Sequence, residues 1–173
     1  IRSCLRASVA VQGSDGRLLG SRWAGSGVIV RADADGLVIL TNRHVVDPKD
    51  TDRKDANRFE LMLADGSKRE ATVRWMDPDG VDLALLVCPG PGPEGLRPIG
   101  PRGEPDAVMG ERVFAVGNPE GLHWTYTEGV ISAIRDMKLF GPEVEVVQTQ
   151  TPINHGNSGG GLFDVEGRLV GLN

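Results

Sequence analysis

Apolar and polar residues alternate in short runs along most of the chain, the period-2 pattern of strands with one buried face, and turns containing Gly or Asp separate the runs. Leu5 to Gln12 is the first such run and leaves into the turn Gly13-Ser14-Asp15-Gly16. Gly25 to Val30 and Leu37 to Thr41 make a pair around Asp33 to Gly36, and Phe59 to Leu63 and Ala71 to Trp75 make another around Asp65-Gly66. Val81 to Val87 adds a further strand, with Asp82 near its start. The segment Asp47 to Arg58, rich in Asp and Lys, breaks the pattern and reads as a solvated surface loop. Pro and Gly then crowd the stretch from Pro89 to Pro105, the composition of a linker. Beyond it, Arg112 to Val116, Thr125 to Ile134, Val144 to Gln150, Gly161 to Phe163 and Leu169 to Leu172 supply more strands. The pattern predicts an all-β chain with a lobe over 1–88, a linker over 89–107 and a second lobe over 108–173. Each lobe is expected to curl into an antiparallel barrel that closes its own edges, leaving a cleft between the two.

Composition agrees with this and adds exclusions. The 24 glycines and 11 prolines suit many turns, and 173 residues can bury a core without metals or bridges. A formal net charge of −5 with scattered Lys and Arg argues against a nucleic-acid partner. The longest strongly apolar run, Leu83 to Cys88, is too short to cross a bilayer, and the opening IRSCLRAS has no apolar secretion-signal core. A soluble fragment or processed chain is expected. Cys4 and Cys88 would bridge if their strands lie side by side, or stay as buried free thiols.

The chemistry concentrates in Gly156-Asn157-Ser158-Gly159-Gly160. Glycines on both sides of one serine allow a tight turn and leave the hydroxyl unobstructed, so Ser158 is the candidate nucleophile. The same turn can aim backbone N–H groups at one point, and the stretch Gly156, Asn157, Ser158 is a candidate oxyanion hole in which the amides of Gly156 and Ser158 are the donors. A serine needs a base, and the base needs an orienting group. His44 directly follows one predicted strand, and Asp82 sits beside Leu-Ala-Leu-Leu, where a buried carboxylate needs a partner such as an imidazole N–H. Each residue has a plainer reading as a turn serine, a structural histidine or a strand-edge carboxylate. Their order, with His44 and Asp82 before the linker and Ser158 after it, suits a nucleophile that faces its base across a cleft. A G-x-S-x-G elbow would need its acid and its histidine after the serine, and no histidine follows Ser158. No two of His44, His123, His155, Cys4 and Cys88 have metal-ligand spacing, so no metal site is expected, and a serine hydrolase of this kind needs no cofactor.

Four stretches, TNRHVV, DLALL, VGNPEGLHWTYTEGVISAI and QTQTPINHGNSGGGLFDVEGRLVGLN, make the chain from about Gly25 to Asn173 resemble the HtrA/Deg group of chymotrypsin-like serine proteases. The resemblance implies two antiparallel six-stranded β-barrels of the chymotrypsin type, the second incomplete at its C-terminal end. It makes His44 the general base, Asp82 its orienting carboxylate and Ser158 the nucleophile of an ATP-independent endopeptidase. It places Thr151, Pro152, Ile153, Asn154 and His155 in or beside the primary substrate pocket. With no carboxylate among them, cleavage after small or medium aliphatic residues is expected. Substrates would be unfolded or extended protein segments added as a strand. The resemblance also implies an extracytoplasmic compartment, periplasmic or secreted, and a loop around Phe140 to Pro142 that orders the site. Asn157 carries no charge to pair with an N-terminal amine, so the turn must be ordered by other means. Homo-oligomerisation stays open, because the N-terminus lacks the aromatic residues of the group's trimer contact. A different class of function, an inactive binding or scaffold module on a protease-like fold, would use the same residues.

Overall fold

The computed structural model describes residues 1–14, 22–47, 58–103, 106–118, 124–138 and 141–173. The chain opens with a short helix, α1 (Arg2–Ala7), and six strands follow: β1 (Ser8–Ser14), β2 (Arg22–Ala32), β3 (Gly36–Thr41), β4 (Arg58–Met62), β5 (Lys68–Met76) and β6 (Ala84–Pro89). A one-turn helix, α2 (Arg43–Val46), lies between β3 and β4. Five more strands complete the described chain: β7 (Arg112–Gly117), β8 (Thr125–Met137), β9 (Val144–Thr149), β10 (Gly161–Asp164) and β11 (Leu169–Leu172).

The first six strands close into an antiparallel barrel in the order β1-β2-β3-β6-β5-β4, sealed where Val11 of β1 pairs with Leu61 of β4. The alternation read from the sequence is what fills it. Val9, Val11, Leu37, Ile39, Phe59, Leu61, Leu86 and Cys88 point inward and are buried, while their strand neighbours face out. The later strands form a second sheet, β11-β10-β7-β8-β9, in which Phe114 pairs with Phe163. It is a curled half-barrel, so the described fold is the double barrel of the chymotrypsin type with its second member incomplete.

A third apolar cluster joins the two lobes. Val28 on the outer face of the first barrel packs with Phe114, Val116 and Phe163 of the second sheet, and Cys4 and Leu169 cover them. This seam fixes how the lobes face one another, and the site depends on that placement.

Three expectations need correction. Leu5 to Ala7 belong to α1 and not to a strand: Leu5 N–H donates to the Ile1 carbonyl (3.0 Å), and the Ser8 hydroxyl caps the helix on the Cys4 carbonyl (2.8 Å). Burial of Cys4 in the interlobe seam, with Leu5 packed against it, stabilises that turn. Residues 48–57 of the charged segment lie outside the described residues, but Asp47 is buried, 4 % exposed, and takes the Arg43 guanidinium at 2.9 Å. It closes α2 instead of starting a solvated loop. Asp82 and Leu83 precede β6, which begins at Ala84. Cys4 and Cys88 are both free and buried, in separate clusters.

Candidate active site

His44 is on α2, which begins one residue after β3 ends, with Asn42 as its N-cap. Val45 and Val46 are buried, so a single apolar turn pins the helix to the barrel and leaves His44 on its outer side. Asp82 stands in the turn that leads into β6, and β3 and β6 are paired neighbours, Thr41 opposite Ala84. Adjacent strand ends therefore bring the two side chains together although 38 residues separate them in sequence.

The contact has two points. The His44 backbone N–H donates to Asp82 Oδ1 at 2.9 Å, and His44 Nδ1 lies 2.7 Å from Asp82 Oδ2. A carboxylate accepts, so Nδ1 carries the proton and Nε2 becomes the basic nitrogen of the neutral ring. Burial pushes the Asp82 carboxyl up, but hydrogen bonds from the His44 imidazole and backbone outweigh it and hold the group below the usual carboxylate range. Asp82 is thus an anion at neutral pH. Asn42 Nδ2 donates to the Asp82 carbonyl at 3.0 Å and steadies its backbone. Sequence reading missed this residue; its only local signal is its place two residues before His44.

Ser158 sits in the turn before β10, half-buried, in a run of backbone bends that glycine makes accessible. Gly156 (φ 93°) and Gly159 (φ 81°) both occupy the left-handed region that side-chain-bearing residues avoid. Asn157 N–H donates to the Asn154 carbonyl (3.0 Å), and Gly160 N–H donates to the Asn157 carbonyl (2.8 Å). Among the described residues, nothing accepts from the N–H of Gly156 or Ser158. Asn157 lies between them, 2 % exposed, with its side chain packed on Gly117, so it shapes the turn from behind.

The serine turn packs against the approach to His44. Ser26 N–H on β2 donates to the Ser158 carbonyl at 2.8 Å. A β-carbon added at Gly25 would lie 2.7 Å from the Val45 side chain and 3.2 Å from the Ser158 carbonyl, so the residue after His44 and the backbone of Ser158 share one small space. A β-carbon at Gly159 would strike the Ser26 carbonyl and the Thr41 hydroxyl and come within 3.1 Å of the Asn42 amide. Only glycine permits this approach of the two lobes.

The predicted pocket residues divide by burial. Thr151 is buried, and its hydroxyl is 2.8 Å from that of Thr149. Pro152, Ile153, Asn154 and His155 are exposed, with the Pro152 carbonyl held by the Thr127 hydroxyl at 2.9 Å. Phe140 and His123 lie outside the described residues. Gly141, next to Phe140, touches the backbone of Asp79 and Gly80, close to Asp82 in sequence.

The sequence is similar to those of known proteins. The family model described as trypsin-like peptidase domain matches residues 25–172. The chain is 40% identical over 139 residues to Protease Do-like 1, chloroplastic, of Arabidopsis thaliana, a match covering 78% of this chain and 30% of that protein. It is 38% identical over 151 residues to the periplasmic serine endoprotease DegP of Escherichia coli K12, covering 86% of this chain and 29% of that one. A probable periplasmic serine endoprotease DegP-like of Pseudomonas fluorescens is 39% identical over 149 residues, covering 86% and 28%. The matched region thus spans under a third of each of these relatives. Given the double-barrel fold, the His44–Asp82 clamp and a family match across both lobes, the chain belongs to the trypsin-like peptidase domain family and is of the HtrA type.

Proposed function

We propose that the chain is the catalytic domain of a serine endopeptidase. The observation that carries this is the two-point clamp of Asp82 on His44, which fixes the tautomer a general base needs. In this reading Nε2 of His44 takes the Ser158 proton as Oγ attacks a peptide carbonyl. The resulting oxyanion lies on the amides of Gly156 and Ser158, and positive φ at Gly156 is the backbone form that makes such a turn accessible. His44 then returns its proton to the leaving amine, an acyl group remains on Ser158, and water repeats the sequence to release it.

The pocket residues Thr151, Pro152, Ile153, Asn154 and His155 contribute no carboxylate, which favours small or medium aliphatic side chains over Lys or Arg. Unfolded or extended segments are the proposed substrates, and the periplasmic and chloroplastic locations in the relatives' names favour a compartment outside the cytosol. Among the described residues, no helix is long and apolar enough to cross a membrane.

The test is a fluorophosphonate probe on the full-length protein. The wild type should be labelled on Ser158 and Ser158→Ala should not, with turnover lost by at least about 10⁴-fold and the circular dichroism unchanged. A folded wild type that takes no label would overturn the reading.

A further inference from the structure

Ser26 is a fully buried residue of β2, opposite Ala10 of β1, and all of its polar groups are engaged at the seam between the lobes. Its N–H holds the Ser158 carbonyl at 2.8 Å, and its carbonyl accepts from the Thr41 hydroxyl at 2.7 Å. Its hydroxyl donates to the Gly156 carbonyl at 2.7 Å and accepts from the N–H and Nδ2 of Asn118, at 2.9 and 3.2 Å. Asn118, fully buried just after β7, also donates from Nδ2 to the Val9 carbonyl (3.1 Å) and accepts at Oδ1 from the Trp124 amide (3.0 Å). Trp124, held at φ 56°, places its indole N–H on the Ser8 carbonyl at 3.1 Å.

The polarity of this network is fixed by its chemistry. Both groups that Asn118 presents to Ser26 are donors, so the one hydroxyl proton of Ser26 has Gly156 as its acceptor. The Gly156 carbonyl and the Asn157 N–H belong to one peptide plane, and that plane is held at both edges: the oxygen by Ser26, the N–H by the Asn154 carbonyl. The plane after Ser158 is held by the Ser26 backbone. One residue of the first lobe therefore grips the turn on both sides of Asn157, next to the two amides assigned to the oxyanion.

We propose that Ser26, aimed by Asn118, is the positioning residue of the oxyanion turn, keeping the Gly156 and Ser158 amides convergent from across the lobe boundary. This rests on the serine-protease reading above. Ser26 touches no reacting atom; it acts through the backbone of Gly156 and Ser158. The consequence is a coupling: the end of β7 and the residue Trp124 enter the chemistry through Asn118, although neither faces the substrate.

The experiment uses the full-length protein with Ser26→Ala, Asn118→Ala and the pair combined. Ser26→Ala removes the hydroxyl; Asn118→Ala leaves it without its side-chain donor. Each should lower kcat by about 10²-fold, the effect of a small misplacement at a reacting centre, with KM changed by less than about threefold. The fluorophosphonate labelling rate and the affinity for a peptide boronate should fall with kcat. Binding of an extended peptide to Ser158→Ala should not change when Ser26→Ala is added. The double variant should lose no more than the worse single one, because both act through one hydrogen bond, and Ser26→Thr should recover most of the rate. If Ser26→Ala does not fold, Asn118→Ala carries the same readouts. A labelled wild type with variants that label and turn over at its rate overturns the positioning role alone, as does a parallel loss of peptide binding. A folded wild type that does not label on Ser158 overturns the protease reading and this inference with it.

Discussion

In the first lobe, His44 and Asp82 stand on the rim of a closed barrel whose interior holds Val9, Val11, Leu37, Ile39, Phe59, Leu61 and Leu86, all buried and all apolar. In the second, Ser158 stands on a turn ahead of β10, and β10 ends in Asp164, a buried carboxylate that takes the guanidinium of Arg168 at 2.7 Å and approaches that of Arg102 at 3.7 Å. His44 is held by regular structure with its own hydrogen bonds. The turn at Ser158 is held by its own backbone bonds, by tertiary bonds from the other lobe and by glycines that allow close approach. A barrel filled by non-directional contacts can be fixed independently of the cleft, whereas the Ser158 turn also takes hydrogen bonds from the other lobe.

The largest effect that bears on this difference is chemical. Asp82→Asn keeps the shape at His44 but removes the charge and offers an amide group where Nδ1 now donates, so the ring can take the wrong tautomer. A loss of about 10⁴-fold in kcat is expected, with a thermal midpoint near that of the wild type, because the Asp82 side chain is 42% exposed. A loss of under tenfold would show that the clamp is structural only.

Next is the barrel interior. Leu86→Ala removes a fully buried side chain paired with Ile39, and should cost about 2 to 5 kcal/mol of stability in urea unfolding. The fraction that stays folded should keep the wild-type labelling rate at Ser158. Equal losses of stability and of labelling in the folded fraction would mean that the barrel interior and the Ser158 turn are coupled.

Asp164→Asn probes the other lobe and should cost about 2 to 4 kcal/mol, below the range for a fully buried pair because Arg168 is 40% exposed. Burial raises the Asp164 carboxyl, but hydrogen bonds from the Arg168 backbone and guanidinium outweigh it and leave the group depressed. The sign follows: a depressed folded value adds stability that is fully present above the ordinary carboxyl range near about 4 and is lost as pH falls through the folded value. Urea midpoints of Asp164→Asn should therefore change less than those of the wild type as pH falls below that range. Parallel curves would remove Asp164 as the source of the acid sensitivity.

These contrasts also explain what could be read from the sequence. Barrel strands such as Leu37 to Thr41 and Phe59 to Leu63 were legible because alternation is a local record of which side faces a core. His44, Asp82 and Ser158 were legible as residue types at element ends, and the structure brings the first two into contact. Leu5 to Ala7 fit a strand as well as a turn of helix because only three residues alternate, and the seam that buries Cys4 with Leu5 packed against it decides for helix. Asp47 does carry a local signal, since it lies four residues after Arg43, the helical spacing of an ion pair. Ser26 had none: its hydroxyl partners lie 92 and 130 residues away, and Gly-Ser-Gly reads only as a strand with small residues.

The smallest effect is the sharpest control on the role of burial. Lys68 on β5 reaches Glu60 on β4 at 2.8 Å, close to the 2.7 Å of Arg168 and Asp164, but the side chains are 55% and 48% exposed, whereas Asp164 is 1% exposed. In water the Coulomb gain is small and ordering two long side chains opposes it, so Lys68→Ala should shift stability by less than about 1 kcal/mol, and by less again in molar salt. The two pairs match in distance and differ in the solvent around them. If Lys68→Ala cost as much as Asp164→Asn, burial could not be the reason the second lobe depends on its charges, and the contrast between an apolar barrel and a charge-anchored sheet would have to rest on geometry alone.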